Sequence, residues 1–343
     1  MTTTIGALVL PQAGRGRRSA EAEGRYRADL EAFCTAIREI GSRLDFKVSS
    51  RGWCYVLEHE AGLSKGDFDK AQALINKCRK SGMLPLEICS DDSAREFDGL
   101  ETLDRTTPAE RASDLLEYVQ SAYRYYRPTS FWDAQPCYIQ LLVEKIDLKS
   151  LFAGICQEFA IPLANARGWC DINTRADMMK RFAAWEARGK QPVLLYCGDF
   201  DPMGLKISEV LRDNLAELSG AMGWSPENLL IDRFGLNIDF IETQGLTWIE
   251  GLTTGSNQDL ADASHRDHDK AYVQAYLRRY GARKVEANAM VVRPQPSRAL
   301  LRETIARYVP VDAPRRYQAQ LMPLRAQVRT EVIRRLQELS LQS

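Results

Sequence analysis

The chain has 343 residues and carries 46 acidic and 46 basic side chains, so its formal net charge is zero. This length can bury a sizeable core in about two domains, and the 45% hydrophobic and 27% charged fractions exclude a wholly disordered chain. The eight cysteines show no CxxC spacing and only three histidines accompany them, which argues against a disulfide framework or a zinc site. No apolar run is long enough to span a bilayer, and basic residues follow the short apolar run 5–10 instead of preceding it. We therefore expect a cytoplasmic protein with no membrane partner.

Residues 1–20 are predicted to form a flexible basic arm, and a strongly amphipathic helix follows them. Its apolar residues recur at spacings of four and three: Tyr26, Leu30, Phe33, Ile37, Ile40 and Leu44. Two further helices are predicted over 50–60 and 67–80, and a short strand over 83–89. Three helices and a strand within about seventy residues favour a winged helix-turn-helix domain, which we assign to 21–130.

Basic side chains cluster in two places. The third predicted helix carries four of them, as a helix facing a DNA groove would: Lys70, Lys77, Arg79 and Lys80. From residue 271 onward, fourteen Lys and Arg residues stand against five Asp and Glu residues. Such an excess attracts phosphate backbones. A three-helix packing module and a solvated helical surface would produce the same two patterns, so both alternatives stay open.

After residue 133 apolar runs alternate with amphipathic stretches. Strands are predicted over 139–143, 161–166, 193–197, 231–236 and 284–290, and helices over 148–159 and 173–188. Strands that alternate with helices imply a parallel, Rossmann-like sheet with right-handed crossovers. We assign 131–343 to this α/β domain, with a basic helical C-terminal part.

Three acidic residues follow two of the predicted strands. Glu144 comes directly after the first strand, and Asp199 and Asp201 come directly after the third. Because parallel strands share one carboxyl edge, where open α/β folds bind ligands, the three carboxylates are predicted to converge there. Converging carboxylates repel one another unless a cation neutralises them, and hard oxygen ligands without His or Cys favour Mg²⁺. A solvated loop residue remains the alternative for any one of the three acids.

The same segments resemble the Toprim domain of the topoisomerase VI A subunit and of its relative, the meiotic double-strand-break protein. That family has a Glu-Lys pair after the first strand, a Gly–Asp–Thr-Arg stretch before a helix, and an Asp-x-Asp-Pro-x-Gly motif. The matching segments here are 142–145, 168–175 and 198–204, with weaker likenesses at 232–236 and 285–286. The resemblance spans roughly residues 46–310, and it implies a winged-helix domain followed by a Toprim domain.

In that family the winged-helix domain carries a catalytic tyrosine four residues after an arginine, a spacing that Arg51 and Tyr55 reproduce. The resemblance implies that Tyr55 attacks a DNA phosphodiester and leaves a 5′-phosphotyrosyl link, while Arg51 stabilises the charged phosphate. Glu144 and the two aspartates would hold the Mg²⁺ ion. The family usually has an aromatic residue before the nucleophile, whereas Cys54 stands here. A tyrosine that only packs one helix against another fits the same spacing.

The resemblance also implies partners. Double-stranded DNA would be the substrate, the protein would be nucleoid-associated, and a homodimer would place tyrosine and carboxylates from opposite chains together. The sequence has no P-loop, so an ATPase B-type subunit would be a separate protein, or the chain would be a stand-alone A-type protein of prokaryotic or phage origin; both alternatives stay open. Two other functions stay open: a metal-dependent nuclease that hydrolyses DNA without a covalent intermediate, and a non-catalytic DNA-binding protein. The absence of zinc-ribbon cysteines argues against a primase.

Overall fold

The computed structural model describes residues 10–12, 19–90, 101, 103–166, 172–253 and 258–340. The predicted basic arm and part of the 168–175 motif lie largely outside these residues. The N-terminal part consists of helices α1 (Ala20–Gly41), α2 (Ser50–Ala61), α3 (Phe68–Lys80) and α4 (Pro108–Ser121). The first three helices are those predicted from the sequence.

Local signals fix where these helices begin and end. The buried face of α1 repeats at the predicted spacing, from Tyr26 to Ile40. Helix α2 starts after Ser49, whose hydroxyl accepts the Gly52 N–H at 3.0 Å. It ends at Gly62, which adopts a left-handed conformation with φ of 70°. Helices α1, α2 and α3 pack their apolar faces into the buried core.

The strand predicted over 83–89 is wrong. This segment contains the short 3-10 helix Leu86–Ile88, and its backbone carbonyls are bound by side chains instead of a neighbouring strand. Trp53 Nε1 donates to the Ile88 carbonyl at 2.9 Å, and Arg79 Nη2 donates to the Leu86 carbonyl at 2.6 Å. Since the described residues 19–90 contain no strand, the winged form of the helix-turn-helix is not confirmed.

A four-stranded parallel sheet forms the centre of the second part, as the sequence predicted. Its elements are β1 (Cys137–Val143), α5 (Ile146–Glu158), β2 (Leu163–Asn165), α6 (Ile172–Glu186), β3 (Gln191–Cys197), α7 (Pro202–Ala216), α8 (Ser219–Met222) and β4 (Leu230–Gly235). The strand order is β2-β1-β3-β4, with every neighbouring pair parallel. All of β1 and nearly all of β3 are buried, which explains why both read as continuous apolar runs.

The remaining elements are α9 (Ile238–Gln244), β5 (Ile249–Glu250), α10 (Ala271–Tyr280), β6 (Arg283–Lys284), α11 (Pro294–Ala306) and α12 (Ala313–Ser340). The strand predicted over 284–290 is wrong for most of its length. Strand β6 pairs antiparallel to β5, and Val285 forms an isolated antiparallel bridge with Phe200. A 3-10 helix then follows over Ala287–Val292. The chain leaves the extended conformation there because the Ala287 N–H donates to a carboxylate oxygen of Asp199, at 2.8 Å, instead of to a strand.

The two parts of the chain are packed together. Helix α2 lies against the 3-10 helix Ala287–Val292, which in turn contacts α5 and α11. Buried apolar side chains of both parts belong to one continuous cluster. This packing carries α2 to the carboxyl edge of the sheet. Among the described residues, no helix has the length and apolar character needed to cross a membrane.

Candidate active site

Two of the predicted carboxylates meet at the carboxyl edge of the sheet. Strands β1 and β3 are paired with Val143 opposite Cys197. Glu144, the next residue after β1, donates its backbone N–H to the Cys197 carbonyl at 2.9 Å, and the buried Asp199 follows two residues after Cys197. The register of the two strands thus brings Glu144 and Asp199 together.

A lysine lies between these two carboxylates. Lys145 Nζ donates to Glu144 Oε1 and to Asp199 Oδ2, at 2.8 Å in both cases. Backbone groups bind the other oxygen of each carboxylate: Glu144 Oε2 accepts the Asp199 N–H at 2.9 Å, and Asp199 Oδ1 accepts the Ala287 N–H at 2.8 Å. Each of the four carboxylate oxygens therefore accepts a hydrogen bond from the chain itself.

Asp201, the third predicted carboxylate, caps helix α7. Its Oδ1 accepts the Gly204 N–H at 2.6 Å, and the helix N-terminus favours a negative charge at this position. Burial nevertheless raises the pKa of Asp201 above its ordinary value, and the negative charge of Glu144 adds to the rise. The third carboxylate is thus close enough to the other two to interact with them electrostatically.

Two glycines allow the turns of this edge to approach so closely. A Cβ atom on Gly198 would lie 2.7 Å from Glu144 Oε2 and 2.5 Å from the hydroxyl of Tyr196. A Cβ atom on Gly204 would lie 2.1 Å from the Asp199 carbonyl oxygen. All three distances are shorter than van der Waals contacts, so a larger residue at either position would displace the turns that carry the carboxylates.

The charges of the cluster do not balance. Burial raises the pKa of Asp199 to about 7 against the opposing charge of Lys145, and the negative charges of Glu144 and Asp201 contribute to the rise. Burial acts on Glu144 too, but the Lys145 ammonium and the hydrogen bonds that Glu144 accepts hold its pKa below the ordinary value. The two carboxylates raise the pKa of Lys145 in spite of its burial. The site therefore holds a charged lysine and more negative charge than one ammonium offsets.

A partly buried arginine supports the turn that carries Asp199. Arg233, on β4, donates from Nη2 to the Asp199 and Leu236 carbonyls, at 2.9 and 2.8 Å. Its Nε donates to the Gly204 carbonyl at 2.8 Å. One guanidinium thus fixes the backbone on both sides of Asp201.

The predicted nucleophile lies close to this cluster in the same chain. The Tyr55 hydroxyl donates to Glu286 Oε2 at 2.7 Å. Arg51 binds the same carboxylate through Nε and Nη2, at 3.3 and 3.4 Å. Glu286 directly precedes Ala287, whose N–H binds Asp199. A short path of contacts therefore joins Tyr55 and Arg51 to the carboxylates.

Tyr55 itself is buried, with 1% of its surface exposed. Its ring meets Phe68 edge-on at 5.0 Å between centroids, and Lys65 Nζ lies 4.6 Å from the ring centroid. Burial raises the pKa of the Tyr55 phenol above its ordinary value, and the negative charge of Glu286 raises it further. The phenol is therefore neutral near pH 7 in this arrangement.

A fully buried aspartate fixes the start of α2. Asp147, on α5, accepts hydrogen bonds from the Ser49 N–H, from the Ser49 hydroxyl at 2.7 Å, and from the Asn288 side chain. A Cβ atom on Gly52 would lie 2.6 Å from Asp147 Oδ2. Asp147 thereby joins α2, α5 and the 3-10 helix Ala287–Val292.

A cavity of about 370 Å³ opens between these elements. It is lined by Ser49, Arg51, Glu144, Lys145, Ile146, Asn165, Glu286 and Asn288. Two cationic side chains and several neutral polar groups thus surround it together with two carboxylates. The Asn165 side-chain oxygen is buried without a hydrogen-bond partner among the described residues. Tyr55 does not line the cavity.

The basic residues of α3 lie apart from this cavity. Lys70 binds Asp67 at 2.7 Å, and Lys77 Nζ donates to the hydroxyl of Tyr26 at 2.7 Å. Arg79 binds the Leu86 carbonyl, and Lys80 is exposed. Three of the four thus have partners within the chain, and their role in DNA binding stays a prediction.

The cluster has the donor chemistry for Mg²⁺ but not the arrangement. Among the described residues, no group of three His, Cys, Asp or Glu side chains could hold a metal ion as it stands. The reason lies in the geometry: Lys145 occupies the space between Glu144 and Asp199, and Asp201 is bound to Gly204. The three ligands are nonetheless all carboxylates, the donors that Mg²⁺ prefers, and a cation already lies between two of them. The donor set therefore fits the ion once the lysine has moved away.

Comparison of the chain with protein-family models, with curated proteins and with solved structures found no match. The resemblance to the Toprim family thus depends on the motifs described above.

Sequence reasoning named Glu144, Asp199, Asp201, Arg51 and Tyr55 but missed four residues that shape the site. Lys145 and Glu286 stand within segments that resemble the family, yet residue types alone do not show that they bind the carboxylates and the tyrosine. Nothing in the sequence distinguishes Asp147 or Arg233 from a surface charge. Asp147 is buried and Arg233 partly buried because segments distant in sequence pack around them.

Proposed function

We propose that the protein cleaves DNA phosphodiester bonds at the carboxyl edge of its sheet, with Tyr55 as nucleophile and Glu144, Asp199 and Asp201 as ligands of Mg²⁺. One observation carries the proposal: a mostly buried, negatively charged carboxylate cluster lies beside a polar cavity and close to the tyrosine predicted from the sequence. Tyr55 binds Glu286, and the next residue, Ala287, binds Asp199. Strongly shifted carboxyl groups beside a cavity are typical of catalytic sites.

The chain's own cations would bind the substrate. Arg51 and Lys145 line the cavity, so they are the cations that would attract the phosphate of a DNA strand there. Arg233 and the two close-packed glycines would keep the carboxylates in position while the substrate binds. When bound, Mg²⁺ would stabilise negative charge on the phosphate oxygens and on the leaving oxygen.

Tyr55 and Glu286 have the geometry of a nucleophile and its base. The phenol oxygen would form a bond to phosphorus while the bond between phosphorus and the 3′-oxygen breaks. The phenol proton would move to Glu286 Oε2, 2.7 Å away, and the 3′-oxygen would take a proton from water. Arg51, bound to the same carboxylate, would hold Glu286 in place. The products would be a 5′-phosphotyrosyl link and a free 3′-hydroxyl.

The contact between Tyr55 and Glu286 within one chain supports attack in cis. The sequence had led us to expect attack in trans, across a homodimer. Mixing Tyr55→Phe chains with Glu144→Gln chains separates the two: only attack in trans restores one intact site in a mixed dimer. Double-stranded DNA as substrate, a homodimer, a B-type ATPase partner and a nucleoid location remain parts of the proposal.

Burial of Tyr55 favours a second candidate, hydrolysis by water. The tyrosine is 1% exposed and lies outside the cavity lining, so a phosphate reaches its hydroxyl only if α2 moves. Glu144, Lys145 and Glu286 already line the cavity. A water molecule held there by the carboxylates would cut the strand without a covalent intermediate.

Plasmid cleavage tests both candidates. Supercoiled plasmid is incubated with the protein and Mg²⁺, stopped with detergent, and analysed for nicked or linear DNA and for DNA-linked protein. We expect cleavage that Glu144→Gln abolishes and that Glu209→Gln, an exposed charge on α7, leaves unchanged. Transesterification predicts DNA-linked protein and no cleavage by Tyr55→Phe, whereas hydrolysis predicts free ends and an active Tyr55→Phe variant. Cleavage that survives Glu144→Gln would overturn the proposal.

A further inference from the structure

Lys145 is placed where a metal ion would be needed. Its ammonium lies 2.8 Å from one oxygen of Glu144 and 2.8 Å from one oxygen of Asp199. The three side chains are 28%, 22% and 12% exposed. Two mostly buried carboxylates at such close range would strongly disfavour double ionisation without a cation between them. The Lys145 ammonium therefore offsets the repulsion between the two carboxylates, as a bound metal cation would.

Glu144 and Asp199 each have one oxygen bound by Lys145, and these two oxygens can change their partner without a movement of the backbone. Glu144 Oε2 is bound by the Asp199 N–H, and Asp199 Oδ1 by the Ala287 N–H. The Asp199 N–H belongs to the turn that Gly198 and Arg233 hold tightly. The Ala287 N–H belongs to the start of the 3-10 helix Ala287–Val292, which is packed against α2 and α5. A metal ion that binds both carboxylates would thus take Glu144 Oε1 and Asp199 Oδ2, the two oxygens that the lysine now occupies.

The cavity beside Lys145 offers space for the displaced ammonium. The lysine side chain lines the cavity of about 370 Å³ together with Arg51 and Asn165. A flexible four-carbon chain can turn its ammonium from the carboxylates into this space without a change in the backbone. An anionic phosphate in the cavity would then meet two cations instead of one.

We propose that Lys145 is the resident cation of the carboxylate cluster, that Mg²⁺ displaces it, and that the displaced ammonium binds the DNA phosphate in the cavity. The inference rests on the proposed metal site and adds a coupling to it. Because the ion releases the cation that the phosphate needs, metal and DNA strengthen each other's binding. In the absence of both, the lysine keeps the cluster neutral enough to remain folded.

Metal binding without DNA tests the exchange directly. Mg²⁺ alone is titrated calorimetrically into the full chain and into Lys145→Met, Lys145→Arg and Lys149→Met. Lys145→Met removes the competing charge and should bind Mg²⁺ at least about tenfold more tightly. Lys145→Arg keeps the charge and should bind like the unaltered chain. Lys149→Met makes the same change one helical turn further along α5 and should alter the affinity less than about twofold.

Folding supplies a second measurement. Without metal, Lys145→Met leaves the carboxylates uncompensated, so its melting temperature should fall, and Mg²⁺ should restore it by more than it raises that of the unaltered chain. Lys145→Gln, which can still donate one hydrogen bond, serves if Lys145→Met does not fold. The same affinity for Lys145→Met, Lys145→Gln and the unaltered chain would overturn the exchange, as would equally tight binding by Lys145→Arg and Lys145→Met.

The Glu144→Gln variant distinguishes failure of the exchange from failure of the metal site. If Mg²⁺ binding is lost in Glu144→Gln but unchanged in Lys145→Met, the metal site stands and the exchange is wrong. If Mg²⁺ binds the unaltered chain and Glu144→Gln alike, or neither of them, the proposed metal site is wrong and the exchange is wrong with it.

Discussion

The cavity has two walls that are built in different ways. The sheet-edge wall carries Glu144 and Lys145, and the backbone register of β1 and β3 places them. The α2 wall carries Arg51 and faces Glu286, which is 235 residues away in sequence. The position of the α2 wall depends on a few side-chain hydrogen bonds between segments that are distant in sequence. The backbone hydrogen bonds between strands survive the loss of one side chain, whereas the side-chain hydrogen bonds that hold α2 do not. Substitutions should therefore damage the α2 wall more than the sheet-edge wall.

The largest effect is expected at Asp147, which docks α2. Asp147→Ala removes an acceptor shared by the Ser49 backbone, the Ser49 hydroxyl and the buried Asn288, and leaves these donors without that partner. We expect the free energy of unfolding to fall by about 3 kcal/mol, measured by urea denaturation. Asp177→Ala is the matched control, since Asp177 is 59% exposed and binds only Lys180 in the described structure. Equal stability of the two variants would contradict the docking role of Asp147.

Two glycines on neighbouring helices give a comparison of intermediate size. Glycine is unfavourable inside a helix, so Gly24→Ala, with nothing within 4 Å of the added atom, should stabilise α1 by about 0.5–1 kcal/mol. Gly52→Ala makes the same change in α2, but its Cβ atom would lie 2.6 Å from Asp147 Oδ2. We expect the free energy of unfolding to fall by about 2 kcal/mol there, because the clash pushes α2 away from Asp147. Urea denaturation of the two variants measures the contrast, and a gain in stability for both would refute the tight packing.

The same contrast explains what the sequence could predict. The apolar runs of β1 and β3 predict buried parallel strands, and strand ends meet at one edge, so Glu144 and Asp199 follow from local pattern and general topology. The spacing of Tyr26 to Ile40 predicts α1 in the same way. These features depend on residues near one another in the chain.

The features that the sequence did not predict depend on distant contacts. The segment 83–89 looks like a strand by composition, yet Trp53 and Arg79 bind its carbonyls and hold it as a 3-10 helix. The segment 284–290 was also predicted to be a strand, but the Ala287 N–H donates to the Asp199 carboxylate instead of to a neighbouring strand. Lys145 reaches Asp199 across the sheet edge, and Glu286 reaches Arg51 and Tyr55 where α2 packs against it. No local pattern encodes such pairings.

The smallest effect is expected for Tyr55→Phe, which removes one hydroxyl from the α2 wall. Glu286 loses the hydrogen bond at 2.7 Å but keeps Arg51 as partner, and the ring stays packed on Phe68. We expect the free energy of unfolding to fall by about 1 kcal/mol, measured by urea denaturation. Tyr118→Phe, on α4 and 60% exposed, should change nothing measurable.

This small effect decides how the plasmid experiment is interpreted. If Tyr55→Phe remains folded to within about 1 kcal/mol, loss of cleavage in that variant reports the missing nucleophile. A loss of about 3 kcal/mol or more would instead make the hydroxyl a main support of α2, comparable to Asp147. The distinction between the two walls would then extend to Tyr55, and only the detection of DNA-linked protein could separate transesterification from hydrolysis.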